Sequence, residues 1–413
     1  LVKVLDELAE LNKVEMLSSE KMDARLRRSG LSSRITWPLK RGAGRYIPAY
    51  RVKVRGMESA QVMLSTQGGN EAGWLDVAAL PGGLEDGLHK RMEKAARRAL
   101  YALGTDQGEV QIAALSGRRY AIERIVLNQE SGVDGLSCHG MKDQVTRMEN
   151  QAAFLMGMDP EFILVNREGD VVSASLYLDR NGVAGSDAVR EGEEVSYPLA
   201  ELRPAPQQHP DALLKSMRLA LLSAKQQITD SSLLWKAGGM PVPGFPLGGH
   251  IHFSGVRISL PLLQSLDNYL ALPLAILEDP SSRARRPRYG FLGDYRMQPH
   301  GGFEYRTLPS FLVSPFITKA SLYMAYLIIH HHDKLRARPL NRERYHKAYY
   351  EGRVEVLQEC AAKLHRDFAL LPDYDRFAKV IDRVFAYIAE GRKWDESRDI
   401  RPLWNIPFMP VTF

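Results

Sequence analysis

Four short apolar runs in the second half of the chain carry polar residues at i and i+2: Asp159/Glu161 in GMDPEFILV, Glu201/Arg203 in PLAELRPAP, His250/His252 in GGHIHFSG and Glu304/Arg306 in GGFEYRTLP. Alternation of this kind reads as a β-strand, in which i and i+2 point to one face and the residues between them to the other. Each pair is expected to project two functional heads from one side of a strand. Phe162, Leu202, Ile251, Phe253, Phe303 and Tyr305 are then expected to pack on the other side. EFILVN, a turn at Arg167 to Asp170, and VVSAS read as a hairpin. Between and after these strands the apolar period lengthens to that of a helix, near 210–228, 260–278, 353–368 and 375–391. Ser314 and Pro315 open a further long apolar helix through about 334, Ser as N-cap and Pro at the first helical position.

The first 150 residues are patterned differently and read as a separate α+β unit. A helix is predicted near 3–15. A strand is predicted near 50–55, where Val52 and Val54 alternate with Arg51, Lys53 and Arg55. Leu88, Met92, Ala95, Ala96 and Leu100 form one stripe of a helix over about 86–103, with Gly104 as its stop. EVQIAAL, the turn Ser116-Gly117 and RYAIERIVL read as a second hairpin. The Gly-rich loop 128–140 then leads to a boundary before Phe154. Domains are expected at 1–150 and 151–413, because single cores stop growing near ~250–300 residues.

Composition acts mainly by exclusion. The chain is 45% hydrophobic and 25% charged, as in ordinary globular proteins. No uninterrupted apolar run approaches the ~18 residues of a membrane span, and the best candidate, 321–330, runs into His331 and His332. No membrane partner is expected. The N-terminal segment lacks the basic, apolar and small-residue order of a signal peptide, and a chain opening on Leu1 is expected to have had upstream residues trimmed or left out. Two cysteines, Cys138 and Cys360, build neither a disulfide framework nor a thiolate zinc site, so the expected compartment is the cytoplasm.

The net charge of +6 matters less than its placement: Arg283, Arg285, Arg286, Arg288, Arg296 and Arg306 fall in one stretch with few acids. Guanidinium forks suit phosphate and carboxylate better than a point charge does. A nucleic-acid reader would show a recognition motif or a periodic basic and aromatic stripe; neither is seen, and no nucleic-acid partner is expected. Taken singly, the acids of DPE read as solvated surface, ELR as an exposed ion pair and the arginines as a solvated loop. The two imidazoles set between glycines in GGHIHFSG are more specific. The histidines at 330–332 point in different directions on a helix and read as structural. Converging on one concave sheet, the carboxylates, imidazoles and guanidiniums of the four pairs would make a site for divalent metal and phosphate, suited to ATP chemistry.

The order DPE, ELRP, GGHIHFS and RRxxYGxxGDYRxxPxGGFEYRTLPS resembles the COOH-NH2 ligase (amidoligase, type 2) family, a branch of the glutamine synthetase and glutamate-cysteine ligase superfamily. The resemblance covers about residues 155–335. It implies an α+β fold with a curved, mainly antiparallel sheet, flanking helices, and ATP with two or more Mg²⁺ (or Mn²⁺) ions in a funnel. It further implies metal binding by Asp159, Glu161, Glu201, His250 and Glu304. Contact with the nucleotide is implied for His252, Arg203, Arg285 and Arg286, and catalytic roles for Glu304, Arg296 and Arg306. The wider superfamily often has Glu where this chain has Asp159, which sets that carboxylate back by one C–C bond. The segment from Arg97 to Ile125 resembles the end of an ATP-grasp domain, with Glu109 and Glu123 as its acids. No Gly-rich phosphate loop precedes them, so a partial module is implied.

The reading is an ATP- and Mg²⁺-dependent carboxylate-amine ligase that forms an amide or isopeptide bond through an acyl phosphate. Its partners would be small-molecule or peptide carboxylates and amines, in an oligomeric state the sequence leaves open. The alternatives are a zinc HxH metallohydrolase, a guanidino-kinase-like phosphotransferase, and an inactive nucleotide-binding protein.

Overall fold

The computed structural model describes residues 17–39, 47–66, 73–79, 87–116, 119–127, 153–191, 194–299 and 301–406. The chain divides into two compact units, one of Leu1–Gln151, Ile258–Leu263 and Asn341–Lys347, the other of Ala152–Arg257, Gln264–Leu340 and Ala348–Phe413. Each is α+β, and every pairing between the described strands is antiparallel.

The first unit holds α1 (Ser19–Arg28), β1 (Ala49–Arg55), β2 (Ser59–Ser65), β3 (Trp74–Asp76), α2 (Leu88–Ala102), β4 (Gln107–Ala114) and β5 (Tyr120–Leu127), with sheet order β3-β2-β1-β4-β5. Period-2 alternation puts Val52, Val54, Val110 and Ile112 on one sheet face, where Met92, Ala96 and Leu100 of α2 bury them. Gly104 ends α2 with φ +84°, a left-handed turn that suits glycine. The predicted helix near 3–15, the loop 128–140 and Cys138 lie outside the described residues.

The second unit contains two sheets. The first is ordered β11-β7-β10-β9 and is built from β7 (Glu161–Val165), β9 (Ala184–Glu191), β10 (Glu194–Leu202) and β11 (Leu234–Lys236), with β8 (Val171–Val172) paired to β7. The second is ordered β13-β14-β12-β6, from β6 (Leu155–Met158), β12 (Ile251–Ser254), β13 (Tyr295–Met297) and β14 (Phe303–Tyr305). Phe162, Leu202, Ile251, Phe253, Phe303 and Tyr305 are all buried, as the alternation predicts.

The helices are α3 (Pro210–Gln227), α4 (Leu260–Leu266), α5 (Leu272–Leu277), α6 (Pro315–His331), α7 (Glu343–Glu351), α8 (Val354–Gln358), α9 (Ala361–Ala369) and α10 (Tyr374–Ala389). The N-cap role of Ser314 is seen, its Oγ accepting from the Ile317 N–H at 3.2 Å. Helices α4 and α5 join through a π-turn over Asp267–Ala271. The run Leu260–Leu277 is the one helix among the described residues long and apolar enough to cross a membrane. It is 89% buried inside the protein, as a core helix would be. The helix predicted over 353–368 is two helices, α8 and α9, and α7 has no counterpart in the predicted set. Its buried face is made largely of tyrosines, Tyr345, Tyr349 and Tyr350, rather than of a recognisable aliphatic stripe.

One junction positions everything that follows. At Asp159 and Pro160 the chain leaves the second sheet and enters the first. Proline has no N–H to continue a ladder. The crossing is held by Asp159 N–H on the His250 carbonyl (3.3 Å) and Glu161 N–H on the Gly248 carbonyl (3.0 Å).

Candidate active site

The four polar pairs meet at this junction, but not as four heads on one sheet. Asp159 and Glu161 were expected on one strand face. Because Pro160 separates two sheets, they turn into two different clusters.

The first cluster is Asp159, His252 and Glu304, each offering a ligand atom within 4.8 Å of the others. It is built across strands, His252 of β12 lying opposite Glu304 of β14, which lies opposite Arg296 of β13. Glu304 is fully buried. Its Oε2 accepts from Arg296 Nε at 2.7 Å and Gln298 Nε2 at 2.9 Å, and its Oε1 is 3.1 Å from Arg306 Nε. His250 Nδ1 stands between the acids, 3.1 Å from Asp159 Oδ1 and 3.2 Å from Glu304 Oε1, while His252 Nε2 is 3.0 Å from Asp159 Oδ2. The sequence left open which of His250 and His252 meets metal; the geometry places the His252 ring nitrogen inside the ligand-sized group, with His250 Nδ1 beside it.

The second cluster is Glu161, Asp187 and Glu201, also within 4.8 Å. Glu161 of β7 and Glu201 of β10 are direct cross-strand partners. Glu201, which alone reads as an exposed ion pair, is buried, with Arg203 in contact with its carboxylate. Glu161 Oε2 accepts from the Gly248 N–H at 2.7 Å. The neighbouring glycine keeps this approach close: a Cβ on Gly249 would lie 2.4 Å from the Pro309 carbonyl oxygen.

Electrostatics separate the clusters. Burial works to raise Asp159, but His250 and His252 hold it well below the usual carboxylate range. His250 is raised: burial opposes this, and the Asp159 carboxylate prevails. Glu161 is pushed up to about 7, by burial first and by Asp187 and Asp159 in addition, against His250 and the Gly248 N–H. Glu201 is pushed up to about 9 by burial and by the charge of Asp159, against Arg203. A trio of acids held this close ionises fully only when a cation joins it.

The residues fit a divalent cation on two observations. Asp159 Oδ1 and Glu304 Oε1 are buried without an aligned hydrogen bond, although His250 Nδ1 lies within ion-pair distance of both. The second cluster offers only carboxylate oxygens, the donors that Mg²⁺ and Mn²⁺ take.

The arginines do not all gather. Arg296 and Arg306 flank Glu304, and Arg296, though paired with Glu304, is 57% exposed. Arg285 is buried and donates to the Thr307 and Leu308 carbonyls at 3.2 and 2.8 Å. Arg286, expected at the nucleotide, instead contacts Glu278 and stacks over Tyr349 at 4.6 Å. Burial of the Glu278 carboxylate explains this placement, since a buried acid needs a partner. Arg286→Met is therefore expected to cost about 3–5 kcal/mol in urea unfolding, by stranding Glu278. The Mg²⁺-induced rise in Tm should be unchanged, and losing that rise would return Arg286 to the site.

A cavity of about 170 Å³ adjoins the second cluster, reached by Glu161, Asp187, His250, Arg285, Asp294 and Arg306. Asp187 and Gln298 were missed in the sequence. Asp187 is a lone acid in the alternating strand β9, and Gln298 is an uncharged residue in a loop, so neither forms a pair. Among the described residues Glu109 and Glu123 join no metal-sized cluster: Glu109 pairs with Arg51 at 3.0 Å, and Glu123 accepts from the Leu39 N–H at 3.2 Å.

The chain belongs to a carboxylate-amine ligase family. The family described as phage phiEco32-like COOH.NH2 ligase-type 2 matches residues 156–406, and the chain belongs to it. No curated protein matches the chain. Among solved structures it is similar to the bifunctional glutathione synthetase from Pasteurella multocida, at 10% identity and a TM-score of 0.37, over 64% of this chain and 49% of that one. It is also similar to Plasmodium falciparum glutamine synthetase, at 13% identity and a TM-score of 0.28, over 54% of this chain and 61% of that one. The chain thus spans about half the length of the first and three fifths of the second. Likeness at this level leaves activity, substrates and partners to be read from the chain's own residues.

Proposed function

We propose that this protein joins a carboxylate to an amine in a reaction driven by ATP, forming an amide or isopeptide bond through an acyl phosphate. One observation carries the reading: two ligand-sized, largely buried clusters, one of two acids and a histidine and one of three acids, lie where Pro160 passes between sheets, in a member of a carboxylate-amine ligase family. Asp159, His252 and Glu304 would hold one Mg²⁺ or Mn²⁺, and Glu161, Asp187 and Glu201 another. Bound cations would neutralise phosphate oxygens and polarise the transferred group. Arg296 and Arg306, oriented by Glu304, offset charge that grows on the phosphoryl group. Burial of the acids limits the water that could hydrolyse an activated acyl group. The substrate carboxylate oxygen takes the γ-phosphoryl group as its P–O bond to ADP breaks; the neutral amine then attacks the acyl carbon, the C–N bond forms, phosphate departs with the C–O electron pair, and the nitrogen releases its extra proton to phosphate or water.

We read the paired sheets of the second unit as the counterpart of the curved sheet of glutamine synthetase-like ligases. The first unit we read as a structural or substrate-binding module. The two ligand-sized groups hold five carboxylates and one imidazole, that of His252, a donor set that supports a hard cation over a zinc HxH centre.

The test is ATP hydrolysis with and without Mg²⁺ against pooled amino acids and short peptides, read by mass spectrometry. Mg²⁺-dependent phosphate release with a product lighter than its summed substrates by one water is expected. A phosphorylated product formed without an amine would make it a phosphotransferase. Bound ATP that is never consumed would mark an inactive binder. Stoichiometric zinc with no nucleotide binding would restore the hydrolase.

A further inference from the structure

We propose that Glu396, in the segment after α10, is a positioning residue for the second acidic cluster and acts on Glu161 through the backbone of Gly238 and Gly239. The inference deepens the ligase reading and rests on its two-cation site.

Glu396 is 2% exposed. Its Oε1 accepts from the Gly239 N–H at 2.7 Å, from Trp394 Nε1–H at 2.9 Å and from the Ser282 hydroxyl. Its Oε2 accepts from the Met240 N–H at 2.8 Å and the Ser281 hydroxyl at 3.2 Å. A carboxylate offers about four acceptor positions, so this one has none left for a cation or a substrate. The segment that carries it is itself anchored, the Trp394 N–H on the Leu277 carbonyl and the Ile400 N–H on the Trp235 carbonyl, both at 2.9 Å.

What Glu396 grips is the most permissive backbone near the site. Gly238 has φ +128°, and a Cβ there would overlap Glu396 Cδ, while a Cβ on Gly239 would overlap Ser282 Oγ. Two glycines in sequence keep one conformation only where partners impose it, and hydrogen bonds to an ionised group are the strongest of these.

From the glycines the constraint reaches Glu161 by two routes. The Gly239 carbonyl accepts from the Leu247 N–H at 3.0 Å, which closes the intervening loop. The next residue, Gly248, then meets Glu161 twice, donating its N–H to Oε2 at 2.7 Å and accepting from the Glu161 N–H at 3.0 Å. On the second route the Gly238 carbonyl accepts from the Ser310 N–H at 3.1 Å, and Ser310 Oγ donates to the Glu161 carbonyl at 2.5 Å. The N–H, the carbonyl and the carboxylate of Glu161 are therefore each met by a residue whose place the pinned glycines set. In the first cluster, Glu304 is oriented by Arg296, Gln298 and Arg306 instead. Loss of the pin is expected to loosen the second cluster and spare the first.

Titration of the full chain with Mn²⁺, followed by the electron paramagnetic resonance signal of the free ion, reads both clusters without ATP or turnover. The wild-type chain should bind two ions. Glu396→Gln should weaken one of them about ten-fold or more and leave the other unchanged, as removing a partner that orients a metal ligand does. In a Glu304→Gln background the same loss should appear at the remaining site. In a Glu201→Gln background Glu396→Gln should add nothing. A residue that only supports the fold would lower Tm without this pattern. Ser282→Ala keeps the charge, removes one hydroxyl and is the milder change, so it carries the test if Glu396→Gln does not fold. It should give a smaller loss at the same site. Hydrogen exchange of the folded variants in EDTA should quicken across 239–249 and at Ser310. Unchanged Mn²⁺ affinity in whichever variant folds, equal loss at both sites, or a further loss on top of Glu201→Gln would overturn the proposal. So would a wild-type chain that binds no ion at the second cluster. Two-ion binding with the expected pattern but no ATP-dependent condensation would count against the ligase reading alone.

Discussion

Glu304→Gln is expected to lower ATP-dependent condensation by at least about 10²-fold and to cost about 3 kcal/mol of stability. The side chain keeps its volume and loses only its charge, so the change isolates electrostatics from packing. Glu304 is fully buried and is approached by Arg296, Arg306, Gln298 and His250. A neutral amide there leaves two guanidiniums without their counter-charge and withdraws one acid from the first cluster. Breaking a buried pair costs about 3–5 kcal/mol, and the lower end applies because Arg296 is more than half exposed and partly screened by solvent. Urea unfolding measures the stability and phosphate release the activity. Turnover at the wild-type rate in a folded Glu304→Gln protein would remove Glu304 from the chemistry.

Metal-free protein should lose stability as pH rises from about 5 to about 9, with Mg²⁺ restoring it. Glu161 and Glu201 both titrate above their ordinary value of 4.5, near 7 and near 9, so the folded state holds protons that the unfolded chain has released. Their contribution is complete below about 4.5, shrinks as pH rises, and is gone once pH passes each folded value. For Glu161 alone the span corresponds to about 3 kcal/mol at about 1.4 kcal/mol per pH unit. Glu201 adds to this without simple summation, because the two acids repel each other. His250, also raised, has the same sign and adds to the fall. Asp159, held low, loses its contribution only in stronger acid and stays outside this window. Scanning calorimetry in EDTA and in Mg²⁺ across this range should show a gap in Tm that widens with pH. Glu201→Gln should flatten the EDTA profile. A gap that stays constant with pH would mean that Mg²⁺ binds away from this trio.

Much of the second unit was legible because its strands alternate strictly. Phe303 and Tyr305 had to face away from Glu304, and Ile251 away from His250 and His252, so donors and core could be sorted before any fold was known. Family membership was legible from the same runs. The contact between Arg286 and Glu278 was not legible, because Glu278 is eight residues earlier in an unremarkable turn. Asp187 went unnoticed because a lone acid on a strand looks like solvated surface until its cross-strand neighbours are known.

The chain's sequence by itself determined the donor chemistry: which acids, imidazoles and guanidiniums stand at strand spacing, and which apolar residues back them. That follows from the period of two, a local property of extended backbone. Only the tertiary structure decided how those donors are grouped. Asp159 and Glu161 part company because Pro160 sends the chain from one sheet to another, and Glu161 meets Glu201 because strand register pairs residues 40 positions apart. Pairing across such distances depends on sheet order and burial, which no local pattern encodes.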